Sequence, residues 1–254
     1  MPNLPTFQPP AASPQPEPEP AVVAPVQGIT SVLDALLRRP RSILYHLHAD
    51  GGGRLIAPLL ILAIVAAAFY GVIIGTFSGG KQLWAAPLKV TLGLLFCGGI
   101  CLPSLYVFAC LAGTEARLRD VAGMIAGLLA LTTLLLFSFA PIAWVFSQST
   151  ESVAGMAALH MIFWIVATYF GTRFVHTGMW GLGAQSGSIF RCWTAIFIFV
   201  CLQMMTAIRP IVGTADSLLP NEKKFFLQNW AETLAAEASR KPAPAYGKER
   251  ELEK

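Results

Sequence analysis

LIAPLLILAIVAAAFYGVIIG, Leu55 to Gly75, contains no charged residue and decides the class of this chain. A helix needs roughly 20 residues to cross the hydrocarbon core of a bilayer, and this stretch supplies them. Four more follow: Leu88–Leu111, Val121–Val145, Ala157–Phe174 and Thr194–Val212. Lipid offers no hydrogen bonds, so each crossing backbone must satisfy its own polar groups, which a helix does within one segment. The expected fold is therefore an all-α integral membrane protein, a bundle of about five transmembrane helices with amphipathic flanking helices.

Composition agrees. The chain is 55% hydrophobic and only 13% charged, with a mean hydropathy of +0.59, whereas soluble domains carry about 25% charged residues. The net charge of +4 is spread too thinly to form a nucleic-acid surface. The five cysteines, Cys97, Cys101, Cys110, Cys192 and Cys201, all fall in or beside apolar stretches and make no CxxC pair, so they do not read as a disulfide framework. Cys97 and Cys101 share a helix face at i, i+4. As a soft-metal pair they would need further ligands, and small buried hydrophobes are the expected reading.

Outside the spans, residues 1–28 form a Pro-rich segment that cannot bury enough apolar surface to order itself. It reads as a disordered tether, not a signal peptide. Residues 29–53 read as an amphipathic interfacial segment. Ser31 to Asp34 resembles a capping box, Val32, Leu33, Leu36 and Leu37 recur at helical spacing, and Pro40 interrupts the helix between Arg39 and Arg41. Arg38, Arg39 and Arg41 are expected to reach lipid phosphates; packing of the same helix against the bundle is the alternative. His46 and His48 would diverge on a helix, and Asp50-Gly51-Gly52-Gly53 would form a flexible break. The transmembrane helical domain spans 54–213. Residues 214–238 read as a second amphipathic helix, with Phe226 and Trp230 on the membrane-facing side, and 239–254 as a disordered tail.

Inside the spans, Gly71/Gly75 and Gly123/Gly127 form two GxxxG pairs, expected to let helices pack closely. Pro103 and Pro141 should kink their helices. His160 is expected to hydrogen-bond between helices, and no acidic residue lies deep in a span, which argues against a proton-coupled transporter. The charged stretch Gly113 to Asp120 reads as a turn whose acids and arginines pair at the surface. No catalytic or nucleotide-binding motif is present, and no cofactor or metal is expected. Arginines cluster on one side if the N-terminus is cytoplasmic, while Lys81 and Lys89 fall on the other.

This layout, with Leu36-Leu37-Arg38-Arg39-Pro40-Arg41 leading into five close spans, a polar Gly113–Asp120 turn and a late Pro141, resembles the Ypt-interacting protein family over roughly Ile29 to Gly213. The eukaryotic members' Asp-Leu-Tyr-Gly-Pro motif is missing, so their binding of small GTPases is not implied. The resemblance implies a non-enzymatic membrane protein. The expected function is a multi-pass scaffold or accessory subunit organising partner proteins. Its partners would be the lipid bilayer and another membrane protein or a second copy, not nucleic acid, most simply in a bacterial inner membrane. A small channel or permease component passing a solute between proline-kinked helices is the alternative.

Overall fold

The computed structural model describes residues 28–49, 52–78, 80, 82–150, 152–207, 231, 232 and 235. Phe226, Trp230 and nearly all of the 1–28 and 208–254 segments lie outside the described residues.

Two short helices, α1 (Ile29–Arg38) and α2 (Pro40–His48), lead through a 3-10 turn (Gly52–Leu55) into five long ones: α3 (Ile56–Ser78), α4 (Gln82–Leu111), α5 (Leu118–Ser149), α6 (Val153–Gly181) and α7 (Gly187–Ala207). All five are long and apolar enough to cross a membrane, and no strand occurs among the described residues. The chain is an all-α integral membrane protein.

The helices run past the apolar windows that announce them. α6 continues through His176 to Gly181, and α7 already contains Arg191. A charge marks where lipid gives way to water, while a helix needs only an unbroken backbone ladder, so the two ends need not coincide. Pro87 as well as Pro103 lies inside α4, and Pro141 lies inside α5.

α5 is the hub. It packs on α3, α4 and α6, while α7 is fastened chiefly to α4 and only slightly to α6. In its apolar window 72% of α5 is buried, against 22% of α7, so α5 faces protein and α7 faces mostly lipid. The main core runs through Leu59, Cys101, Leu105, Met124, Leu128 and Phe174. A second cluster, around Tyr70, Ala86, Leu136 and Phe163, sits at the end of the bundle away from α1 and α2. Large aromatics are exposed near both ends: Trp84 and Trp144 at one, Trp180 at the other. Indoles favour this placement because half the ring suits lipid and the N–H suits water.

Glycines stitch the helices together, though not always as the GxxxG spacing suggests. At Gly71 a side chain would run into Pro87 Cα, so the α3 and α4 backbones touch there. At Gly127 it would meet the ring of Phe174 on α6, and at Gly123 the Leu47 side chain on α2. The α5 pair thus receives side chains from two different helices instead of one neighbouring backbone. Gly75 is buried on α3.

Candidate functional site: the docked helical hairpin

At the end of the bundle where α3 and α5 begin, α1 and α2 form a small hairpin. Arg39, with φ −141 and ψ 63, breaks the helix, and Pro40 starts α2 at a position that needs no backbone N–H. α1 begins at Ile29, two residues before Ser31, and the Ser31 hydroxyl donates to Gly28 O at 3.0 Å. The capping box expected at Ser31 is therefore not formed.

The hairpin is packed onto the bundle. Val32, Leu36, Ile43, Leu44 and Leu47 are all buried. Two of them enter notches that only glycine leaves open: Leu47 lies over Gly123 of α5, and Leu44 over Gly178 of α6, where an added Cβ would meet Leu44 Cδ2 at 2.8 Å. Gly52 is equally constrained, because a Cβ there would strike the Leu47 carbonyl. Gly52 and Gly53 thus open an ordered 3-10 turn, and the flexible break expected from the glycine run is not seen in this part of it.

The opposite face points outward. Arg38, Arg39 and Arg41 are exposed, together with Leu37 and Tyr45. Arg38 Nε sits 2.7 Å from Asp34 Oδ1, one turn earlier. The segment is thus docked on one face and basic and aromatic on the other; of the two readings its sequence allows, packing against the bundle is the one the contacts show.

Beneath the hairpin lies a polar cluster. Asp120, on the first turn of α5, is only 6% exposed. Its Oδ2 accepts the Arg117 backbone N–H at 3.0 Å, capping the helix, and its Oδ1 is 3.5 Å from Arg119 Nε. A carboxylate at a helix N-terminus also meets the positive end of the helix dipole. His48, at the end of α2, packs its ring on Gly181 of α6. Burial lowers the His48 pKa below its ordinary value, and the nearby Asp120 carboxylate partly opposes that. The Gly113–Asp120 stretch is therefore not a purely surface turn. Its one acid beside α5 is buried and couples to the hairpin. The turn is also clasped to the next one on this end, since Gln185 N donates to Ala112 O at 3.2 Å.

Of the intramembrane polar residues, His160 does bridge helices. Its Nδ1 shares a 2.6 Å hydrogen bond with the Tyr70 hydroxyl of α3, and the two rings meet edge to face. Gly99 faces open space on the outside of α4, with nothing within 4 Å of an added Cβ. A hollow between α3, α4 and α5, lined by residues including Ala67, Thr91, Leu95 and Thr133, leaves about 10 Å³, room for at most one water. No three His, Cys, Asp or Glu side chains are grouped to hold a metal ion among the described residues.

Sequence reading missed Tyr70, Asp120 as a buried residue, Trp193 and the approach of Cys201 to Cys97. Each becomes visible only once segments far apart in the chain are brought together. Comparison with protein-family models, curated proteins and solved structures finds no match.

Proposed function

We propose that this chain is a multi-pass membrane scaffold or accessory subunit, without catalytic activity of its own, that organises partner proteins in the bilayer. The observation that carries the reading is the α1–α2 hairpin. One face is locked into glycine notches on α5 and α6, and the other presents Arg38, Arg39, Arg41, Leu37 and Tyr45. A rigidly mounted basic and aromatic face can hold an anionic membrane surface or a partner in fixed register with the bundle. The likeness of layout to the Ypt-interacting proteins favours the same reading.

The orientation we propose puts the N-terminus in the cytoplasm, most simply at a bacterial inner membrane. Arg38, Arg39, Arg41, Arg54, Arg117, Arg119, Arg173 and Arg191 then fall toward the cytoplasmic end, as the bias of basic residues requires. Lys89 falls toward the other.

The test is gentle extraction from native membranes by a tag on the N-terminal segment, with mass spectrometry of what co-purifies. A stoichiometric partner, or a stable homo-oligomer, is expected. Specific, saturable movement of a solute by the purified chain alone in liposomes would sink the proposal and favour the permease alternative.

A further inference from the structure

Three of the cysteines lie along the seam between α4 and α7. Cys97 and Cys101 lie one turn apart on α4 and Cys201 on α7, and none is more than 3% exposed. The register of the seam is fixed independently by Trp193. Its indole N–H donates across the seam to Ser104 Oγ at 3.2 Å and reaches Cys101 O at 3.4 Å. α4 and α7 run in opposite directions, so eight residues onward from Trp193 faces eight residues back from Ser104. That places Cys201 opposite Phe96 and Cys97. The side chains agree, because the Cys97 and Cys201 thiols lie within interaction range of each other, with Cys101 close enough to interact with both.

We propose that Cys97 and Cys201 are a redox pair that closes into a disulfide across the α4–α7 seam, with a lipid-soluble quinone as oxidant. Both S–H bonds break and one S–S bond forms. The two electrons and two protons pass to the quinone, which leaves as the quinol. The location selects this class of oxidant. A charged, water-borne disulfide would have to shed its hydration to reach an apolar seam, whereas a quinone partitions into lipid and accepts both electrons and protons. Phe96, Ile100 and Phe199, beside the pair in sequence, face outward from the bundle, so the seam borders the lipid. Closure would tie α7, the least enclosed span, covalently to the helix that already carries it.

The experiment uses the full chain in lipid nanodiscs, with the exposed Cys110 and Cys192 replaced (C110S/C192S). A short-chain ubiquinone analogue is added, and free thiols are then alkylated under denaturing conditions for intact-mass and peptide mass spectrometry. The expected result is a chain two hydrogens lighter, with one alkylated cysteine instead of three and a Cys97–Cys201 cross-linked peptide. The cross-link should survive Cys101→Ala and vanish in Cys201→Ala. The proposal is overturned if all three thiols remain alkylatable, or if the bond joins Cys101 to Cys201 instead. It is equally overturned if only a synthetic diazene oxidant such as diamide closes the pair while the quinone does not. The parent chain needs no core substitution, so a misfolded variant cannot obscure the answer.

Discussion

Replacing Gly71 with alanine tests the backbone-to-backbone contact between α3 and α4. The new Cβ would overlap Pro87 Cα and lie 2.9 Å from Pro87 N and 3.2 Å from Ala86 O. All three are backbone atoms, so no rotamer change on α4 relieves the clash. Carbon atoms prefer about 3.5–4.0 Å, so the two helices must part by roughly 1 Å along this seam. Overpacking of this kind costs about 1–3 kcal/mol. Alanine is intrinsically better than glycine in a helix by up to about 1 kcal/mol, which offsets part of the loss. The expected net destabilisation is about 1–2 kcal/mol, or roughly five- to thirtyfold in the unfolding equilibrium. Gly99→Ala is the matched control: same chemistry, same bundle, open space around the new methyl. It should be neutral or slightly stabilising. The assay is unfolding of the purified chain by a denaturing detergent added to mild micelles, followed by tryptophan fluorescence. Equal midpoints for the two variants would refute the claim that α3 and α4 meet backbone to backbone at Gly71.

Tyr70→Phe should cost about 1–3 kcal/mol in the same assay, because it strips the hydrogen-bond partner from His160 Nδ1. Made in a chain that already carries His160→Phe, the same Tyr70→Phe substitution should cost much less. Leu47→Ala should cost about 2–5 kcal/mol at a buried site, seen as faster amide exchange in α2 with α5 and α6 little changed; protection lost evenly over the bundle would count against a separately docked hairpin. The docking of α2 should also weaken on acidification. The folded-state pKa of His48 is lowered by burial, so the undocked state binds the proton more readily. Its contribution is intact above about pH 6.5, the ordinary histidine value, and is lost as pH falls through the folded-state pKa. Amide exchange of α2 followed from pH 7.5 to 5 checks this, and His48→Gln should flatten the dependence.

Most of the architecture is legible in the sequence because lipid imposes one rule on every crossing segment. The apolar windows place all five spans, and Pro40 places the break in the hairpin. The ends of the spans are less legible. The apolar window of the second span opens at Leu88, yet α4 begins at Gln82. Pro87, in the second turn, forgoes one backbone bond without ending the helix, and Lys89 is buried instead of marking a boundary. The partners of polar residues are the least legible. His160 announces an interhelical bond by its chemistry, but Tyr70 lies 90 residues away, and nothing local couples the two. The same holds for Gly123 and Gly127: their spacing signals close packing, but only the fold shows that a leucine and a phenylalanine from different helices fill the space.

The unequal enclosure of α5 and α7 has a mechanical consequence. At 1.5 Å per residue, the 32 residues of α5 extend about 48 Å, well beyond a hydrocarbon core of about 30 Å. The 21 described residues of α7 extend about 31 Å, close to the thickness of that core. α5 is wrapped by neighbours, so a change in bilayer thickness barely alters its surroundings. α7 has little protein around it, so a membrane that thins or thickens acts on it directly. The load falls on the α4 seam that carries it, making this edge of the bundle the part most responsive to which lipids surround the protein.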